Sequence, residues 1–216
     1  MFALLLPTPQ NPCGAAIPSG KNMHYGLCRH AAQTCQVYNI DMKRLFLIRH
    51  AKTEPHGASI EDRERELLPR GREDTPLVGH YMSGHGYRPD LIFCSTARRT
   101  VETLALLVPE LSVKPPVEYL DALYLAEPEL LLAHLAHAPD NAKALLMLGH
   151  NPGLEQLAGY LSRMPIKRKE QTQYDLMEEK FPTGALAVLD FEVTHWADVE
   201  PQSGTLVDFV RPRDLR

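Results

Sequence analysis

The chain has 216 residues, 44% hydrophobic and 23% charged, with a net charge of -4. That fits one ordinary domain with a real core and some material to spare, and it provides no general attraction for nucleic acid or anionic membrane, so any anion site must be a local basic cluster. Apolar runs such as Phe2 to Leu6 and Ala144 to Leu148 are far too short to cross a bilayer.

Residues 1–41 differ from the rest. They carry four prolines and three of the four cysteines (Cys13, Cys28 and Cys35), with no sustained helical or strand period. The segment lacks the basic start and long apolar stretch of a secretory signal. It reads as upstream sequence ahead of a natural start at Met42, or as a flexible arm, with residues 42–216 as the domain. Cys94 sits in an apolar run. The cysteines form no C-x-x-C pair and fit no common zinc spacing, which points to a reducing compartment.

From Met42 the pattern alternates. Arg44 to Ile48 is an apolar run suited to a central strand, and Arg49 to Leu68 is polar, a loop or short helix. Gly71 to Ser83 can form a helix, Asp90 to Cys94 a second strand, and Arg98 to Leu107 a helix with Val101, Leu104 and Ala105 on one face. Val117 to Leu120 is a weak strand, Pro128 starts a helix to about His137, and Lys143 to Leu148 is a third strong strand. Pro152 and Gly153 lead into a helix to Leu161. Ile166 to Glu179 is polar and charged and reads as a surface loop or excursion, and Ala185 to Phe191 and Thr205 to Val210 are strands. This order predicts a single α/β domain, a mostly parallel central sheet with helices on both faces.

In such sheets ligands bind beyond the carboxyl ends of the strands. The first strong strand is followed by Arg49-His50, the second by Ser95 and then Arg98-Arg99, and the third by Gly149-His150-Asn151-Pro152. Arginine forks match phosphate oxygens, a neutral imidazole can attack phosphorus, and a second histidine can donate to an equatorial oxygen. The helix near Gly153 can add its amide end.

These segments resemble the histidine phosphatase superfamily. Leu47-Ile48-Arg49-His50-Ala51 is similar to its arginine-histidine signature. Ser95 followed by Arg99 is similar to its second motif, and Leu148-Gly149-His150-Asn151-Pro152 to its third. The resemblance, over residues 43 to about 210, implies a phosphate pocket of Arg49, His50, Arg99 and His150 with His50 as nucleophile. Short length and the segment Arg65 to Gly71 resemble the SixA-like phosphohistidine phosphatases, with Arg65 as an extra substrate contact. Leu68 departs from that branch's usual threonine. The mutase-like branch keeps a glutamate acid where this chain has Ala122, beside Asp121, whose side chain a strand-like backbone would turn away. A missing acid favours a leaving group that is already protonated.

The remaining candidates have plainer readings. Arg98 reads as a solvated helix residue, Ser95 as a helix cap, Glu102 as solvent-facing or paired with an arginine, and Trp196 as packing. His134 and His137 lie three apart on a helix but lack a third metal ligand. The expectation is a metal- and cofactor-independent cytoplasmic phosphatase acting on a phosphohistidine protein in signal transduction. Its rivals are a phosphatase for a small phosphorylated metabolite, such as a sugar or nucleotide phosphate, and a catalytically weak phosphate-binding module.

Overall fold

Lys43–Arg49 (β1) pairs in parallel with Ala144–Gly149 (β4) and antiparallel with Leu186–Phe191 (β5). It therefore lies in the middle of the sheet, as a run with no polar alternation should. A computed structural model describes residues 42–55 and 61–216. The reading of residues 1–41 lies outside the described residues.

Leu91–Ser95 (β2) pairs in parallel with β4 and with Val117–Leu120 (β3), and Thr205–Val210 (β6) pairs antiparallel with β5. The strand order is β3-β2-β4-β1-β5-β6. Four neighbouring strands are parallel, β5 runs against them, and β6, antiparallel to β5, runs with them again at the edge.

Successive side chains along β1 and β4 point to opposite faces. Leu45, Leu47, Leu145 and Met147 pack into one core with Leu131 and Leu135 of Pro128–Ala136 (α3), Leu154 and Leu157 of Gly153–Leu161 (α4), and Met177. Phe46, Ile48, Leu146 and Leu148 pack into the other with Val78 and Met82 of Pro69–Gly84 (α1) and Leu104 and Leu107 of Arg98–Leu107 (α2). Each fully buried leucine contributes about 1.5–3 kcal/mol.

Two expectations need correction. Residues 166–179 are not simply a surface loop, because Arg168–Glu179 (α5) is helical. Glu170 accepts from the Ile166 and Lys167 amides, which fixes the helix start. Met177 is buried, and Gln173 accepts from the Phe209 amide of β6. One buried methionine, with Tyr174 and Leu176 only partly covered, gives too weak a period in a charged run to read from sequence. In α2 the buried face is Thr100, Thr103, Leu104 and Leu107, and Ala105 is exposed. The threonines can be buried because their hydroxyls donate to backbone carbonyls, Thr100 to Ala97 and Thr103 to Arg99. Thr103 Oγ1 also accepts from the Ala51 amide at 3.0 Å and so anchors the turn after His50.

Gly153 opens α4 where a Cβ would stand 1.9 Å from the Ala126 carbonyl oxygen. Only glycine allows that approach. We expect Gly153→Ala to lower the free energy of unfolding in urea by roughly 2–4 kcal/mol, through a forced backbone shift. A loss below about 0.5 kcal/mol would mean that the Ala126 loop yields freely.

Candidate active site

β2, β4 and β1 lie side by side and parallel, so their carboxyl ends open onto one edge. His50 follows β1, and its amide donates to the Gly149 carbonyl at 3.0 Å. The Gly184 amide donates to the carbonyls of both Arg49 and His50, at 3.1 and 3.0 Å. The loop before β5 therefore pins this corner.

The His50 ring is 6% exposed, and its Nδ1 lies 2.8 Å from the Ala51 carbonyl oxygen. A carbonyl only accepts, so Nδ1 carries the proton and Nε2 keeps its lone pair. Burial pushes the imidazole pKa down to about 3. The Ala51 carbonyl opposes this, and the charges of Arg99, Arg49 and Arg65 reinforce it. His50 is thus a neutral, oriented base at neutral pH.

The second ring, His150, is 2% exposed, with its centroid 5.3 Å from that of His50. Burial, then Arg99 and His50, lower its pKa to about 2. Ser95 Oγ lies 2.8 Å from its Nε2. The expectation that Ser95 caps α2 is wrong: the cap position is Ala97 with no side-chain bond, and Ser95 is the last residue of β2, turned across to β4. When the Ser95 hydroxyl donates, His150 is the Nδ1–H tautomer, and that buried Nδ1 has no protein acceptor.

Three arginines complete the site. Arg49 Nη1 donates to the Phe181 carbonyl at 2.9 Å, a carbonyl that also accepts from Asn151 Nδ2 at 3.0 Å. Glu155 accepts from Asn151 Nδ2 and from the Phe181 amide, which holds the loop against α4. Arg99, 2% exposed, donates through Nη1 to the Asp62 carbonyl and through Nη2 to its carboxylate, at 2.6 and 3.0 Å. Arg65 donates to Asp62 Oδ1 at 3.0 Å and to Thr53 at 2.8 Å. In all three arginines the buried Nε–H has no protein acceptor. Buried guanidinium donors without acceptors suit a tetrahedral oxyanion.

Asp62 and Tyr124 are site groups that the sequence did not suggest. Tyr124 donates to Asp62 Oδ2 at 2.7 Å and packs edge-on against His150. Burial opposes ionisation of Asp62, but the Tyr124 hydrogen bond and the Arg99 and Arg65 charges outweigh it and lower the pKa. The short 3-10 turn Asp62–Glu64 brings this carboxylate to Arg99 across 37 residues of sequence, a separation with no local signature.

Arg98 remains on the exposed side of α2, paired with Glu66 and Glu102. Glu102 also accepts from Arg72 and the Leu67 amide. Asp121 is exposed, and its pKa is lowered by hydrogen bonds from Thr96 and Arg63. It is therefore held as an ionised acceptor. Trp196 is fully buried and donates to the Ala142 carbonyl. Among the described residues no three His, Cys, Asp or Glu side chains cluster as a metal site.

The sequence profile of the histidine phosphatase superfamily (branch 1) matches residues 45–124. An uncharacterized Mycobacterium tuberculosis protein, Rv1276c, is 36% identical over 167 residues, 77% of this chain and 100% of that one. A Nakamurella multipartitia chain that carries the name phosphohistidine phosphatase SixA superposes with a TM-score of 0.67 at 29% identity, over 79% of this chain and 96% of that one. This chain belongs to the histidine phosphatase superfamily. A structure of the protein histidine phosphatase SixA with tungstate shares the fold at 20% identity, with a TM-score of 0.64, over 80% of this chain and 99% of that one. The single α/β domain is the histidine phosphatase fold, and the chain is SixA-like within it. Among the described residues no helix is long and apolar enough to cross a membrane.

The low histidine pKa values carry a consequence for stability. Both rings stay neutral in the folded site but take up protons near pH 6.5 once unfolded. Between about pH 6.5 and 3 the unfolded chain binds more protons, so stability falls as the pH falls. Each ring costs up to about 1.4 kcal/mol per pH unit in that window. The thermal midpoint in phosphate-free buffer should drop from about pH 7 to pH 5, and His150→Gln should flatten the drop. An unchanged slope in that variant would show that the ring is protonated in the folded state.

Proposed function

We propose that this phosphatase is metal-independent, that His50 Nε2 is its nucleophile, and that its substrate is a phosphohistidine on a protein. The observation that carries the reading is the His50 ring. The Ala51 carbonyl fixes its proton on Nδ1, burial keeps it neutral, and Nε2 is left as the attacking atom beside His150 and three arginines.

In the first step Nε2 attacks phosphorus in line. The P–Nε2 bond forms as the substrate P–N bond breaks, and the electron pair leaves with an imidazole that carries its own proton. Arg49, Arg99, Arg65 and His150 hold the phosphoryl oxygens and offset their charge. In the second step water attacks phosphorus, the P–Nε2 bond breaks and inorganic phosphate leaves. No side chain has to donate a proton to the leaving group. That agrees with Asp62 and Asp121, whose carboxylates are held ionised. The cationic side chains do the work that a metal does in other phosphatases. A signalling role in the cytoplasm is part of the same proposal.

The test is turnover in EDTA of a phosphohistidine-carrying protein and of a panel of phosphate monoesters. Higher kcat/KM on the phosphohistidine protein, unaffected by EDTA, is the expected result. Faster turnover of a monoester would move the substrate to small metabolites, and phosphate binding without turnover would leave only a binding module.

A further inference from the structure

Beside the phosphoryl site lies a cavity of about 370 Å³ that the proposed mechanism does not use. Its walls carry Arg49, Lys52, Arg70, Lys180, Arg211 and Arg213, against one carboxylate, Asp74. The whole chain has more acidic than basic residues, 27 against 23, so this is a local reversal of charge and not a general basic surface.

Four separate segments build it: the turn after β1, the first turns of α1, the loop between α5 and β5, and the residues after β6. Close packing holds the first two together. Gly71 of α1 approaches so near that a Cβ there would stand 2.3 Å from the Lys52 carbonyl oxygen, and the Leu68 amide donates to that same oxygen.

The cations differ in how far they are already neutralised. Asp74 is shared by Arg70 and Arg216, and Arg211 is held by Asp214 at 2.8 Å and Glu179 at 3.7 Å. Arg213 has Asp214 at 3.8 Å. Among the described residues Lys52 and Lys180 have no carboxylate partner, and the hydrogen-bond acceptor of Arg49 is a neutral carbonyl. Arg49 is common to this cavity and to the phosphoryl site.

We propose that the cavity is a second oxyanion subsite, in which Lys52 and Lys180 hold an anionic group of the substrate while its phosphoryl group faces His50 across Arg49. The preferred substrate then carries two anionic groups within one binding footprint. This rests on the reading of His50 as phosphoryl acceptor. Two sources supply the same chemistry: a glutamate or aspartate flanking the phosphohistidine of a protein, or a second phosphate on a small metabolite.

The test compares the full chain with its Lys52→Ala/Lys180→Ala variant on three substrate sets. These are a phosphohistidine peptide with flanking glutamates and its glutamine counterpart, a sugar bisphosphate and its monophosphate, and p-nitrophenyl phosphate as a single-anion reference. The unmodified protein should favour the doubly anionic member of one pair by about tenfold in kcat/KM, mainly through KM. The variant should lose that preference while keeping p-nitrophenyl phosphate turnover within about twofold. A preference confined to the peptides identifies acidic flanking residues as the ligand. One confined to the sugars identifies a second phosphate, and with no peptide turnover it overturns the phosphohistidine reading while leaving the subsite standing. Peptide turnover without any charge preference overturns the subsite and leaves that reading standing. Equal loss on every substrate also overturns the subsite.

Discussion

His50→Ala is expected to reduce kcat by at least about 10⁴-fold on any phosphorylated substrate, because it removes the atom proposed to accept the phosphoryl group. The arginines and His150 would still bind and polarise the phosphate, so KM should change much less than kcat. A covalent readout separates this from a simple packing defect. Brief incubation with a radiolabelled substrate, followed by alkaline quenching, should leave an acid-labile label on the unmodified protein and none on the variant. The residue lies just past a strand end, held by backbone bonds to Gly149 and Gly184 that alanine retains, so the fold should persist. A variant with residual activity within about tenfold of the original would remove His50 from the role of nucleophile.

Arg99→Ala is expected to cost about 10²–10³-fold in kcat/KM, through loss of a charged donor at the developing equatorial oxygens. Two structural facts shape the expectation. Arg99 is nearly inaccessible, so its charge acts with little screening. Its two terminal nitrogens are already bound by Asp62, which fixes the guanidinium plane and leaves Nε–H without an acceptor. The variant leaves the Asp62 carboxylate to Arg65 and Tyr124, so some stability is lost as well. Arg99→Lys separates the two effects: it restores charge without the planar fork and should recover only part of the rate. Full recovery with lysine would show that Arg99 acts as a point charge, and an unaffected rate in the alanine variant would place the phosphoryl group elsewhere.

The elements with strong local signals were legible. Arg98 to Leu107, Gly153 to Leu161 and Thr205 to Val210 fold with the boundaries that their periodicity gives. The three apolar runs fill central strands because a segment buried on both faces cannot carry polar side chains in its middle. The rule that ligands collect at the carboxyl ends of such strands points to Arg49-His50, Arg98-Arg99 and His150, and the resemblance to the histidine phosphatases is what prefers Arg99 to Arg98. The helix Arg168 to Glu179 has no strong local signal, because it docks through one buried methionine, the partly covered Tyr174 and Leu176, and a hydrogen bond to β6. Ser95 was misjudged for a related reason. A serine before a helix is a local cap signal, whereas its real partner, His150, stands 55 residues away, just past the end of the adjacent strand.

The sequence by itself determined the α/β class, the central strands and the identity of the basic and imidazole groups at their ends, because strand burial and strand-end position are local properties of the chain. Only the tertiary structure decided how those groups behave. The Ala51 carbonyl sets the His50 tautomer, burial keeps both imidazoles neutral, and Asp62 arrives from a polar loop to lock Arg99. The cations of the neighbouring cavity come from four separate segments. Each of these depends on groups that meet across many residues of chain, and electrostatics follow distance and burial in space, which the order of residues does not contain.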